Sequence, residues 1–106
     1  MEKVYGKLRE EDRPVLERVV KFFKEAGFGV GLHGTSLWNQ HYKDVDLLVF
    51  SDAGKAGVME FLAAVKKISQ KHKGEVVNQK GNEEIGIDCD LNIGPVTLHI
   101  SYVVLL

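Results

Sequence analysis

The sequence predicts an α/β (α+β) domain: a mixed β-sheet with helices mainly on one face. Two observations lead to this prediction. Helical-period amphipathic segments alternate with apolar runs of strand length over most of the chain, and the final part contains only strand-like segments separated by turn signals. The predicted order is α-β-α-β-α-β-β-β. With 106 residues the chain can bury one core but not a second substrate-binding domain, so residues 1–106 are expected to form a single domain.

The first predicted helix follows a charged lead-in. Asp12 suits its N-cap, Pro14 its first turn, and Gly27 the left-handed position past its end. Apolar residues recur at three- and four-residue spacing with basic residues between them, which is typical of an amphipathic helix. They are Val15, Leu16, Val19, Val20, Phe22, Phe23 and Ala26. We expect this apolar face to cover the sheet.

The next segment predicts a strand over residues 28–33, a tight turn, a brief helix, and a second strand that opens with Asp44 and Asp46. In a strand, residues i and i+2 point to the same face about 6.5–7 Å apart, so these two carboxylates can converge on a metal ion. Gly34 allows close backbone approach, Ser36 adds a hydroxyl, and the N–H groups that open the helix favour an anion. Together these features indicate phosphate and a divalent cation.

The glycines of this segment also match the dinucleotide-binding pattern G-x-G-x-x-G, at Gly29, Gly31 and Gly34. That fold needs a strand before Gly29, but the apolar residues before Gly29 recur at helical spacing. It also needs a parallel crossover of about a dozen residues before the next strand, and too few lie between Gly34 and Asp44. We therefore reject a dinucleotide-binding fold.

The second half begins with an apolar run, residues 45–50, which predicts a buried strand in the middle of the sheet. Ser51 is expected to cap a helix that ends at Gly74. The apolar face of this helix consists of Val58, Phe61, Leu62, Val65 and Ile68. Three further strands are predicted at residues 75–79, 84–93 and 96–105, the first two joined by a turn around Gly81-Asn82.

A third carboxylate comes from the segment in which Asp88, Asp90 and Asn92 alternate with apolar residues. If its strand lies beside the strand of Asp44 and Asp46, as we predict, one of its acids completes a cluster of three carboxylates. Close carboxylates repel one another unless a cation lies among them, so such a cluster implies Mg²⁺ or Mn²⁺. We favour Asp90, which is deeper in the apolar run, over Asp88. The alternative is an ordinary solvated strand face.

Composition limits the function classes. Charged residues make up 27% and the net charge is −1, which argues against strong nonspecific binding to nucleic acid. No apolar run approaches the ~20 residues that span a bilayer, and the N-terminus lacks the apolar core of a signal peptide, so we predict a cytoplasmic protein without a membrane partner. The single Cys89 is expected to be a small buried hydrophobe. His99 shares a strand face with Thr97 and Ser101 and is expected to satisfy a hydroxyl.

The turn Gly34-Thr35-Ser36-Leu37, the pair Asp44-Val45-Asp46 and the acids at 88–90 together resemble motifs of the polymerase-β-type nucleotidyltransferase superfamily. The small members, minimal nucleotidyltransferases and abortive-infection nucleotidyltransferases, are the most similar. The resemblance implies metal binding by Asp44, Asp46 and Asp90, with Asp88 as the alternative third acid, and phosphate binding by Gly34, Thr35 and Ser36.

The same resemblance implies a function. A metal-dependent enzyme using Mg²⁺ or Mn²⁺ would move a nucleoside monophosphate, AMP from ATP, onto a hydroxyl of a protein or RNA. It also suggests a toxin–antitoxin pair, with a helical partner protein or a homodimer. Thr35 departs from the usual glycine or serine, and the basic residue that many minimal members carry after the turn is absent. These departures favour an alternative, a catalytically inactive module of the same fold that acts through a protein partner.

Overall fold

The computed structural model describes residues 9–33, 44–51, 57–82 and 86–103. In chain order these form α1 (Arg13–Glu25), β1 (Phe28–His33), β2 (Val45–Ser51), α2 (Val58–Lys71), β3 (Glu75–Asn82), β4 (Gly86–Ile93) and β5 (Val96–Val103). The order agrees with the prediction, except that the short helix expected after β1 falls outside the described residues. Neither helix in this part of the chain is long and apolar enough to cross a lipid bilayer.

The strands form one mixed sheet in the order β1-β2-β5-β4-β3. β2 and β5 run parallel, while β1–β2, β4–β5 and β3–β4 are antiparallel. The predicted mixed sheet is confirmed, and the antiparallel β1–β2 pair agrees with the rejection of a dinucleotide-binding crossover. The prediction that the two acid-bearing strands, β2 and β4, are neighbours is wrong, because β5 lies between them. The meander β3-β4-β5 leaves the free edge of β5 for β2, so β5 rather than β2 is the central strand.

The two helices of the described residues pack on one face of the sheet, which we call the covered face; we call the opposite face the open face. Buried side chains on α1, α2 and the covered face form one apolar cluster that includes Leu16, Val19, Leu47, Val65, Ile68, Leu91 and Leu98. Phe61 lies at its centre, with its ring stacked 4.9 Å from that of Tyr102 and 5.8 Å from that of Phe23. Stacked aromatic rings add to the burial of their surface, and this contact fixes α2 against both α1 and β5.

Helix boundaries differ in part from the prediction. Gly27 has the expected positive φ, +97°, just past α1. Asp12 lies at the N-cap, but its side chain makes no capping bond and instead accepts a hydrogen bond from Arg9 Nε at 3.1 Å. Ser51 was predicted to cap the helix that contains Phe61, and this is wrong: it belongs to β2, and Gly57 is the N-cap of α2. The N–H of Gly57 donates to the carboxylate of Glu60.

The β3–β4 hairpin is longer than predicted. Gly81 and Asn82 pair with Ile87 and Gly86 within the ladder, so the turn is not at Gly81-Asn82. The residues that connect the strands, 83–85, lie outside the described part of the chain. The turn signal at Gly81-Asn82 had placed the end of β3 at residue 79, whereas backbone pairing with β4 extends the strand to Asn82.

Candidate cation site on the open face

Three polar side chains form a row across the open face. Asp46 on β2 is the register partner of His99 on β5, and His99 is in turn the partner of Asp90 on β4. Directly opposed residues on neighbouring strands have Cβ atoms about 4.5–5.5 Å apart. The two acid-bearing strands therefore meet through β5, and the residue that bridges them is a histidine.

Asp44 joins this row from the beginning of β2. Asp44, Asp90 and His99 each offer a ligand atom, and these atoms lie within 4.8 Å of one another. All three side chains are half-buried. Two carboxylates and an imidazole fit a divalent cation, and an imidazole is a better ligand for Mn²⁺ and other transition metals than for Mg²⁺.

Asp90 is held at both carboxylate oxygens. His99 Nδ1 lies 2.7 Å from Oδ1, and Asn78 Nδ2 donates to Oδ2 at 2.9 Å. Burial raises the pKa of Asp90, but the hydrogen bonds from Asn78 and His99, together with the charges of His99 and Lys80, outweigh it and hold this pKa below the usual range. Asp90 is therefore ionised at neutral pH, which suits a cation ligand better than a proton acceptor.

His99 responds in the opposite direction. The hydrogen bond to Asp90 raises the pKa of His99, and the charges of Asp90, Asp46 and Asp88 add to this against the effect of burial. An ionised carboxylate can only accept hydrogen bonds, so Nδ1 carries the proton of the shared bond. In the neutral ring, Nε2 is then the nitrogen with a free lone pair.

Other sequence-predicted residues fall around this cluster. Asp88 lies on the open face one pair further along β4, opposite Ser101 on β5 and Lys80 on β3. Asp44, before the first residue of β2, lies toward the other end of the site. Asp90 and not Asp88 belongs to the group of close ligand atoms, and the role of Asp90 as third acid stays a prediction. The proposed phosphate-binding residues Gly34, Thr35 and Ser36 lie outside the described residues.

His99 is the residue that sequence reasoning missed. It was expected to satisfy a hydroxyl on its own strand, whereas the structure shows a carboxylate partner on β4. Alternation correctly placed His99 with Thr97 and Ser101, but only the register of β4 with β5 sets it opposite Asp90. Cys89 agrees with its prediction: it is 1% exposed, and burial raises the pKa of its thiol to about 11, so it is an unreactive core residue.

Comparison with known proteins gives a likeness of fold. No protein-family model matches the chain, and no curated protein matches it. The RNA terminal uridylyl transferase Cid1 is similar over 91% of this chain and 32% of its own, with a TM-score of 0.66 and 15% identity. A tRNA-processing enzyme in an apo form is similar over 89% of this chain and 23% of its own, with a TM-score of 0.61 and 21% identity.

These comparisons confirm a nucleotidyltransferase-like fold for the chain. The chain spans about a third or less of the length of each structure. The two similar structures do not test whether the chain is a minimal or an abortive-infection nucleotidyltransferase. Membership of either group therefore stays a prediction.

Proposed function

We propose that this chain is the catalytic part of a metal-dependent nucleotidyltransferase. It would move a nucleoside monophosphate, AMP from ATP, onto a hydroxyl of RNA or protein in the cytoplasm. The observation that carries the proposal is the convergence of Asp44 and Asp90 with His99 on the open face of a nucleotidyltransferase-like sheet. The names of the two similar structures favour RNA over protein as the acceptor.

Asp44, Asp46 and Asp90 would hold the divalent cations in this proposal. When bound, the cations neutralise charge on the triphosphate and favour deprotonation of the acceptor hydroxyl. Asp90 remains ionised because Asn78 and His99 hold its oxygens. With an imidazole in the group of ligand atoms, we favour Mn²⁺ over Mg²⁺. Gly34, Thr35 and Ser36 remain the proposed phosphate-binding residues.

The acceptor would need a binding surface beyond this sheet, because this chain matches only 32% and 23% of the length of the two similar structures. We propose that a helical partner protein or a second copy of the chain supplies it, with a toxin–antitoxin pair as the biological setting. A candidate cation site on the open face, opposite the two described helices, is compatible with such a partner.

The test uses α-labelled nucleoside triphosphates with Mn²⁺ or Mg²⁺ and a panel of RNA and protein acceptors. We expect label transfer by the wild type and a loss of more than about 100-fold in Asp44→Asn, because a carboxylate that holds the cation contributes several kcal/mol to the transition state. Asp88→Asn is the matched control, since it removes an acid from the same face one pair away from the cluster.

The outcomes separate the alternatives. Transfer that Asp88→Asn abolishes and Asp44→Asn retains would contradict the assignment of the third acid and of the cation site. Absence of transfer by the wild type with every nucleotide and acceptor, although Mn²⁺ still binds, would favour the inactive binding module.

A further inference from the structure

β3 contains a bulge directly beside the candidate cation site. Val77 pairs with Asp90 and Lys80 pairs with Asp88, so two residues of β3, Asn78 and Gln79, face the single residue Cys89. Asn78 has a φ of +57°, in the left-handed region that residues with a side chain seldom occupy. An extra residue with this conformation is a known way to turn a side chain out of the regular alternation of a strand.

The bulge changes the face that Asn78 reaches. Val77 pairs with Asp90 and therefore belongs to the open face, so regular alternation would send the next side chain to the covered face, with Cys89. Instead the amide of Asn78 donates to Oδ2 of Asp90 at 2.9 Å. Asparagine is among the residues that tolerate the left-handed region best, so one residue provides both the backbone conformation and the donor.

We infer that Asn78 is a positioning residue for the cation site, and that the bulge in β3 exists to present it. This role rests on the proposed function of the site. Asn78 lies on the edge strand β3 and would contribute no ligand atom itself. With His99 on Oδ1 and Asn78 on Oδ2, the carboxylate of Asp90 has a fixed orientation, in which a ligand atom lies within 4.8 Å of those of Asp44 and His99. Partners that orient a ligating group in this way affect cation affinity without contacting the cation.

A structural explanation of the bulge predicts something different. If Asn78 only stabilised the β3–β4 hairpin, removing its amide would lower the stability of the protein and leave cation affinity unchanged. Glycine separates the two roles, because it accepts a positive φ without strain and removes the amide. Asn78→Gly should therefore keep the bulge while it frees Oδ2 of Asp90.

The chain offers a matched control. Lys73, in the turn between α2 and β3, is the other described non-glycine residue with a positive φ, +54°. Lys73→Gly makes the same backbone change away from the open-face cluster. Any general effect of placing glycine at such a position is therefore measured by this second variant.

The experiment is calorimetric titration of Mn²⁺ alone into the wild type, Asn78→Gly and Lys73→Gly, together with thermal melts of each without metal. We expect the Kd for Mn²⁺ to rise about tenfold or more in Asn78→Gly and to stay at the wild-type value in Lys73→Gly. Both variants should melt within a few degrees of the wild type.

Three results would overturn the inference. Asn78→Gly could bind Mn²⁺ as the wild type does, both glycine variants could lose the same affinity, or Asn78→Gly could lose affinity only in proportion to a lower melting temperature. Failure of the proposed function looks different. Nucleotidyl transfer would then be absent while the difference in Mn²⁺ affinity persists, or the wild type itself would bind no Mn²⁺, which removes the site and this inference with it.

Discussion

Two adjacent rows of residues show how differently the two faces of one sheet are built. Val45, Leu98 and Leu91 form a row across β2, β5 and β4 on the covered face, and each is no more than 1% exposed. One residue away on the same strands, Asp46, His99 and Asp90 form the row on the open face. A shift of register by one residue would exchange the leucines with the charges.

The same three strands therefore carry both part of the apolar core and the candidate cation site. The apolar row helps to fix the register, because a slip of one residue would turn its members away from the helices. The same register sets the positions of Asp46, His99 and Asp90. These polar residues therefore do not need to stabilise the register themselves. The predictions below test this division, starting from the covered face.

The largest expected effect is on the covered face. Phe61→Ala removes the ring that stacks on Phe23 and Tyr102 and leaves a cavity where the side chain was fully buried. We expect a loss of about 3–5 kcal/mol in the free energy of unfolding, measured by urea denaturation. Met59→Ala, on the same helix but 68% exposed, should change it by less than about 0.5 kcal/mol. Similar losses in both variants would contradict the central position of Phe61.

A smaller effect is expected where the open face is apolar. A Cβ added at Gly29 would lie 2.2 Å from the ring of Phe50, its register partner on β2, so the ring must move. Gly29→Ala should cost about 1–3 kcal/mol of stability, as overpacking usually does. Gly31→Ala is the control, because its Cβ would meet nothing within 4 Å on the same strand and face. A Gly29→Ala variant as stable as Gly31→Ala would show that Phe50 does not need this space.

The smallest expected effect concerns pH and the polar row. The pKa of His99 is raised above its ordinary value of 6.5, chiefly by the hydrogen bond to Asp90. Its contribution to the stability of the metal-free protein is therefore complete below pH 6.5 and is lost as pH rises through the higher folded-state pKa. We expect up to about 1 kcal/mol, because the pair is partly exposed.

The measurement is urea denaturation across this pH range for the wild type and His99→Gln. The difference between the two proteins isolates His99. The pKa of His72 is lowered by burial and by the charges of Arg18 and Lys71. The effect of His72 on stability is therefore confined to pH values below 6.5, and it is the same in both proteins. A difference that does not shrink as pH rises above 6.5 would show that protonated His99 does not stabilise the fold.

Much of the fold was accessible from sequence because apolar periodicity encodes which residues are buried. The helix of Leu16 and Phe23, the strand that follows Asp44 and the alternation of Asp88 and Asp90 were all predicted in this way. Periodicity does not say which strands are neighbours. The insertion of β5 between β2 and β4 was missed for that reason, and with it the position of His99 beside Asp90.

Asn78 was beyond sequence reasoning for a related cause. Its contact with Asp90 depends on a two-against-one pairing of β3 with β4, and the sequence contains no signal for a bulge there apart from a residue that tolerates positive φ. The acids themselves were found because their spacing of two residues is local. Thus the proposed ligands could be named from the sequence, while the hydrogen-bond partners of Asp90 could not.

The parallel pairing of β2 with β5 also has a consequence for folding kinetics. The β3-β4-β5 meander joins neighbours in sequence, but β2 meets β5 across about fifty residues, a contact of high contact order that is slow to close. Asp44 and Asp46 stand on one side of this closure, and Asp90, His99 and Asn78 on the other. A chain in which the meander has formed but β2 has not yet docked therefore lacks the assembled cluster, so the candidate cation site is completed only when this long-range closure is made.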